Sequence, residues 1–163
     1  MLKQKILLKS FQKNKNLIYL YLNCNQVLKT KDIKELSLAV GWSNRNWNKV
    51  KKAIKNSSFI ITLWYRFNIR KQLVGFLRVV SDNTFNAVIW DVMIHPRFQK
   101  KNLGKFLINY TIRELRKKGI KNIALFSYQK AINFYFCLNF QFSRSKKEAL
   151  IKKPRKFQNV HKD

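Results

Sequence analysis

Three runs of β-branched and aromatic residues, 58–66 (SFIITLWYR), 72–81 (QLVGFLRVVS) and 85–94 (FNAVIWDVMI), follow one another across short polar turns. Consecutive strand-like runs with short links predict an antiparallel meander. Ahead of them the apolar positions recur at helical spacing. Ile33, Leu36 and Ala39/Val40 lie between Thr30, suited to cap a first turn holding Asp32, and Gly41. Val50, Ala53 and Ile54 share one face of a second helix over 46–55, with Asn46 as its cap. Trp42 and Trp47 are placed between the two helices. After the meander, Leu103, Phe106, Leu107, Tyr110 and Leu115 repeat at three and four residues, and Gly119 closes the helix. The run 121–126 (KNIALF) is again strand-like, so 85–126 predicts two parallel strands joined by a crossover helix. Residues 129–138 read as a short helix and 140–151 as one or two final strands with a turn at 143–145. Near the start, 17–22 (LIYLYL) is strand-like, whereas 3–16 is too rich in lysine to pack on both faces.

No repeat or linker interrupts this pattern, and 163 residues is the length of one domain. The chain divides into a basic segment over 1–29 that holds the first strand, a domain over 30–151, and a polar basic tail over 152–163. The first segment, which carries no acidic residue, suits an organellar presequence, a basic arm or a strand with a frayed end.

Charge changes the picture less than its size suggests. Lys and Arg number 35 against 7 Asp and Glu, a formal net charge of +28 that attracts RNA, DNA, anionic lipid or a phosphorylated cofactor. Yet Lys, Asn, Ile and Phe abound while Gly is 4 and Pro is 2, as when codons drift toward A and T. Such drift raises charge everywhere without building a binding face, so local features must decide the partner. The 46% hydrophobic and 14% aromatic content fills a core and excludes global disorder. Cys24 and Cys137 have no metal-site spacing and are too few for a secreted disulfide scaffold, which predicts a reducing compartment. No apolar run approaches the roughly 20 residues that span a bilayer, and no signal peptide is legible among the early lysines and asparagines. A soluble protein is expected.

The candidate chemistry begins between the third strand of the meander and the long helix, in HPRFQKKNLGKFLI (95–108). A strand that passes through a tight loop into a helix brings unpaired backbone N–H groups and the positive end of the helix dipole to one point, which suits phosphate. Gly104 permits close backbone approach, Gln99 can hydrogen-bond from the side, and Lys100, Lys101 and Lys105 add charge. One glycine without a following GKS/T is not a P-loop, and a solvated helix start uses the same residue types.

The run Gln99-Lys100-Lys101-Asn102-Leu103-Gly104 resembles the Q/R-x-x-G-x-G/A pyrophosphate loop of the GNAT acyl-CoA N-acyltransferases, preceded as in that family by an apolar strand and Pro96. VGW (40–42), SDNTFNAVIWDV (81–92), NIALF (122–126) and INFYFCLNF (132–140) resemble its plastid and cyanobacterial-type branch, whose plant members acetylate lysines, protein N-termini and serotonin. The resemblance covers residues 30 to 145. It implies an α/β (α+β) fold with a mixed central sheet of six to seven strands and about four helices, acetyl-CoA as co-substrate, and an amine acceptor. Three departures stand out. Asn102 replaces the first loop glycine and Asn139 that of the terminal FYxxxGF pattern, and Asn is the residue besides Gly that best tolerates a left-handed conformation. Tyr128 stands where many members carry a cofactor-contacting asparagine.

By the same resemblance, the backbone of Val92, Met93 and Ile94 pairs with the pantetheine arm as an added strand and polarises the thioester carbonyl. Residues Gln99, Lys100, Lys101, Asn102, Leu103, Gly104 and Lys105 then hold the pyrophosphate. Tyr135 aligns with the tyrosine that protonates the departing sulfur; read alone, Phe134, Tyr135, Phe136 and Phe140 equally form an aromatic core cluster. Asp91, an acid in an apolar strand, points opposite to Trp90 unless a bulge intervenes. Burial would raise its proton affinity and let it take a proton from an ammonium, or it braces a loop. Asp82, its rival, lies in a turn and caps its own backbone. His95 is a strand-end residue, and no His/Cys/Asp cluster suggests a metal.

Cys137, in an aromatic-rich segment, is expected in the core rather than as a nucleophile, which favours direct attack by the amine. Acceptors in acidic contexts suit the positive field, as does an arylalkylamine seated among Trp64, Tyr65 and Phe67. The competing reading is a nucleic-acid- or ribosome-associated protein with little catalysis. Branch and composition together imply a protein used in a plastid, in the stroma, and encoded there; import from an A/T-rich nuclear genome is the alternative.

Overall fold

The computed structural model describes residues 4–11, 16–23, 28–67 and 70–142. The described residues fall into two compact units, divided after Tyr128. Cys24, the tail and almost all of the final strands expected over 140–151 lie outside the described residues; 140–142 form no strand.

The first unit is built on one mixed sheet of six strands in sequential order: β1 (Gln4–Phe11), β2 (Asn16–Asn23), β3 (Phe59–Phe67), β4 (Arg70–Ser81), β5 (Asn86–Ile94) and β6 (Asn122–Leu125). β1 to β5 are antiparallel, and β6 runs parallel to β5. The meander and the parallel crossover follow the expected pattern. β1 does not, because lysines that argue against a doubly packed strand are compatible with the sheet edge it occupies.

α1 (Thr30–Ala39) and α2 (Trp47–Lys55) precede β3. Ile33 and Leu36 of α1 pack with Ile60, Trp64, Leu73, Phe76 and Met93 of the sheet, and Trp42, Trp47, Val50 and Ile54 extend that layer. Asn46 caps α2 by accepting from the Lys49 N–H at 3.1 Å. Thr30, expected as a cap, is instead the first helical residue, and no side chain caps that end. The crossover helix α3 (Leu103–Lys117) contacts β3, β4 and β5 and buries Leu103, Leu107, Ile108, Tyr110, Thr111 and Leu115.

Two positions set the local shape of β4. A Cβ at Gly75 would stand 2.7 Å from Leu63 Cδ1 and 3.0 Å from both Leu63 Cβ and Ile94 Cδ1. Leu63 is fully buried, so Gly75→Ala is expected to cost about 1–3 kcal/mol of stability, read from the urea midpoint. Asp82, at the end of β4, accepts from the N–H groups of Thr84, Phe85 and Asn86 through Oδ1, and from Asn86 Nδ2 through Oδ2. It is a turn cap, as its position suggested. These hydrogen bonds, led by that from the Asn86 N–H, hold its pKa far below the ordinary 3.8. Its stabilisation is therefore present above the unfolded value and lost as pH falls below it toward the folded one. Asp82→Ala is expected to lower the urea midpoint at pH 7, with a gap to wild type that narrows below pH 3.8.

In the second unit, a 3-10 turn (Gln129–Ala131) leads into the short helix α4 (Ile132–Phe136). The Tyr135 ring meets those of Phe134 and Phe140 edge-on, at 5.0 and 5.8 Å. The chain turns at Asn139, whose φ of 62° is left-handed, and the Phe140 N–H donates to the Tyr135 carbonyl. Cys137 is exposed, which corrects its expected place in the core.

Candidate active site

The sheet opens where the chemistry was expected. β5 and β6 pair only from Asn86 with Asn122 to Ile89 with Leu125. Beyond Ile89, β5 keeps β4 as a neighbour and, among the described residues, no strand on its other side. The His95 N–H donates to the Val74 carbonyl at 2.8 Å. Strand alternation therefore turns the N–H and C=O of Ile94 toward the open side. The Ile94 N–H is thus available to an extended ligand arm, while its carbonyl accepts from Gln99 Nε2.

The loop that follows is held rigidly at several points. His95 Nδ1 accepts from the Arg97 N–H at 3.3 Å, and Phe98 packs buried against Tyr65, with ring centroids 5.0 Å apart. Burial and then the Arg97 charge lower the His95 pKa below 6.5, so His95 serves as a neutral strand-end brace. Gln99 Nε2 donates to the Ile94 carbonyl at 2.9 Å. Its side chain, expected to reach an anion, instead ties the loop to the end of β5.

Lys100 and Asn102 both adopt left-handed backbones, with φ of 57° and 59°. Asn102 thereby takes the conformation that a glycine would take, as its residue type suggested. No side chain caps α3, and its first intrahelical hydrogen bond is from the Phe106 N–H to the Asn102 carbonyl at 2.9 Å. The N–H groups of Leu103, Gly104 and Lys105 precede that bond at the positive end of a 15-residue helix. Lys100, Lys101 and Lys105 are exposed around this point, and Lys101 Nζ rests 5.4 Å from the Phe98 ring centroid. This donor set fits a pyrophosphate, and the adjoining β5 edge fits an amide-bearing arm.

Asp91 departs from expectation. A bulge sets Asp91 and Val92 against a single β4 residue, between the pairs Arg78 with Trp90 and Phe76 with Met93. Asp91 itself has φ of 53°. Its Oδ1 accepts from Arg45 Nη2 at 3.0 Å and its Oδ2 from Arg78 Nε. Burial raises its pKa, but the hydrogen bonds and charges of Arg45 and Arg78 outweigh it, and the net shift is below 3.8. The expected rise in proton affinity is therefore reversed, because two guanidinium partners compensate the desolvated carboxylate. Sequence reasoning missed both arginines. They lie 46 and 13 positions from Asp91, without distinction among 35 basic residues.

Trp64 is buried in the core with its indole N–H donated to Thr62 Oγ1 at 3.0 Å. That corrects its expected role in seating an aromatic amine. The Phe67 side chain is outside the described residues. Tyr135 is mostly buried in the second unit, which raises its pKa above 10.0 and keeps the phenol protonated at neutral pH. Tyr128 is exposed. Among the described residues no group of three His, Cys, Asp or Glu is arranged to hold a metal, and no helix is long and apolar enough to cross a membrane.

Comparison with known proteins agrees with this fold. The model of the acetyltransferase (GNAT) family matches residues 27–140. The uncharacterized N-acetyltransferase ycf52 of Gracilaria tenuistipitata var. liui is 42% identical over 135 residues, covering 83% of this chain and 74% of the relative. The chloroplastic GCN5-related N-acetyltransferase 1 of Arabidopsis thaliana is 38% identical over 63% of this chain and 51% of its own length. Among solved structures, a GNAT family acetyltransferase from Streptococcus pneumoniae TIGR4 shares the fold, with a TM-score of 0.66 at 21% identity over 84% of this chain and 99% of that one. The chain is a member of the acetyltransferase (GNAT) family, in company with ycf52 and chloroplastic relatives.

Proposed function

We propose that this acetyltransferase moves the acetyl group of acetyl-CoA to a primary amine by direct attack: a protein lysine, a protein N-terminus or a small arylalkylamine. The observation that carries the reading is the uncapped start of α3, shaped by left-handed Asn102 and set beside the open edge of β5.

The N–H groups of Leu103, Gly104 and Lys105 receive the pyrophosphate, with Lys100 and Lys101 adding charge. Val92, Met93 and Ile94 receive the pantetheine arm along their backbone, and an N–H of this stretch stabilises negative charge on the carbonyl oxygen. When bound, the thioester supplies the acetyl group: a C–N bond to the acceptor forms as the C–S bond breaks. By the family resemblance Tyr135 is assigned the proton that the departing sulfur takes; the surplus proton on nitrogen leaves to water, and water returns one to the phenolate. Asp91, saturated by two arginines, is a poor base, so the acceptor reacts as the free amine that solvent provides. Relatives named chloroplastic and the A/T-like composition support a plastid location.

The test supplies purified protein with acetyl-CoA and, separately, serotonin, an N-terminally blocked lysine peptide, and a peptide with a free N-terminus, following thiol release. Saturable release with at least one amine is expected. Release no faster than hydrolysis with all three would contradict the reading.

A further inference from the structure

Asp91 does two things at once in β5. It takes the left-handed position of the bulge, and it offers one carboxylate oxygen to each of two guanidinium groups that come from different elements. Arg78 stands on β4 opposite Trp90. Arg45 belongs to the loop 40–46 between α1 and α2, immediately before the cap of α2. Each guanidinium also lies over an indole, Arg45 at 4.3 Å from the Trp42 centroid and Arg78 at 5.7 Å from that of Trp90. The Trp90 ring is in turn 5.2 Å from that of Phe126, just past β6. One file of six side chains therefore runs from the α1–α2 loop across the bulge to the end of β6.

The three charged side chains of this file are mostly shielded: Asp91 is 14% exposed, Arg78 17% and Arg45 31%. Without the carboxylate, two positive groups would face each other there with nothing between them, and the loop carrying Arg45 is the element freer to withdraw.

We propose that Asp91 is a positioning residue, clasping the α1–α2 loop to the β5 bulge through Arg45 and the bulge to β4 through Arg78, so that the loop is held beside Val92, where the proposed thioester arm meets β5 and the amine has to approach. This rests on the acetyltransfer reading for its consequence in catalysis, but the clasp has a readout of its own. Asn tolerates the left-handed backbone as Asp does, so Asp91→Asn keeps the bulge while removing the charge. Arg45→Gln releases the loop and leaves the Asp91–Arg78 pair intact.

Hydrogen exchange of the amides at 41–47 is expected to quicken about tenfold in both variants, and Arg45→Lys is expected to restore much of the protection. For whichever of the three amines the wild type acetylates, the amine KM is expected to rise about tenfold in both variants. The acetyl-CoA dissociation constant should stay within about twofold, and the low-pH side of the kcat profile should match that of the wild type in both variants. Unchanged loop exchange in both variants would overturn the clasp. An acidic limb that vanishes in Asp91→Asn, with the amine KM unaltered, would overturn it in favour of a general base. If Asp91→Asn fails to fold, Arg45→Gln reads both exchange and KM by itself. Quickened exchange in a protein that acetylates none of the three amines would uphold the clasp and overturn the acetyltransfer reading instead.

Discussion

Tyr135→Phe is expected to lower kcat by about 10²- to 10⁴-fold, the range for losing a positioned general acid, while the acetyl-CoA KM changes by less than about threefold. The substitution removes one hydroxyl and keeps the ring that meets Phe134 and Phe140 edge-on, so packing and stability should scarcely change. Burial also gives the pH profile a direction. The Tyr135 pKa lies above 10.0, and an acid acts only while it holds its proton, so wild-type kcat should stay level through neutral pH and fall above pH 10. The Phe variant should lack that alkaline fall. Equal kcat values in the two proteins would reduce Tyr135 to a member of an aromatic cluster.

The next largest effect is expected at Asn102. Its φ of 59° is open to Gly and Asn but strained for a β-branched side chain, at a cost of about 1–3 kcal/mol. In Asn102→Val the loop either bears that strain or turns the donors of Leu103, Gly104 and Lys105 away from the pyrophosphate position. If the strain is relieved by abandoning the binding geometry, acetyl-CoA affinity falls by about 5- to 150-fold. Asn102→Gly, free to adopt the same φ, should bind as well as the wild type or better. Calorimetric titration of both variants separates a conformational requirement from a side-chain contact, because a lost contact would weaken the Gly variant as well.

These positions show where sequence was informative and where it was not. The meander and the crossover helix were legible because burial imposes periods of two and 3.6 residues, and runs such as FNAVIWDVMI display them. The loop at the head of α3 was legible as a position and, through the tolerance of Asn for left-handed backbone, even as a conformation. The bulge at Asp91 was not, since an Asp within an apolar strand is compatible with a base, a brace or a turn. Its partners Arg45 and Arg78 were invisible for a different reason. In a chain of +28 formal charge no single arginine stands out, and only the fold brings these two to one carboxylate. Gln99 shows a third limit, because residue type permits hydrogen bonding to a ligand or to the Ile94 carbonyl, and the course of the loop decides between them.

The proposed function requires the head of α3 and the open edge of β5 to act together on one ligand. Titration of the purified protein with acetyl-CoA at about 0.3 M salt, where attraction to the general positive surface is strongly screened, tests this most directly. A 3′-phosphorylated adenine nucleotide lacking the pantetheine arm serves as the control. Saturable one-to-one binding of acetyl-CoA and much weaker binding of the control are expected. Equal binding of both ligands, or none of either, would contradict the proposed function. The lysines would then be generic, and a basic protein that binds nucleic acid would be the better description.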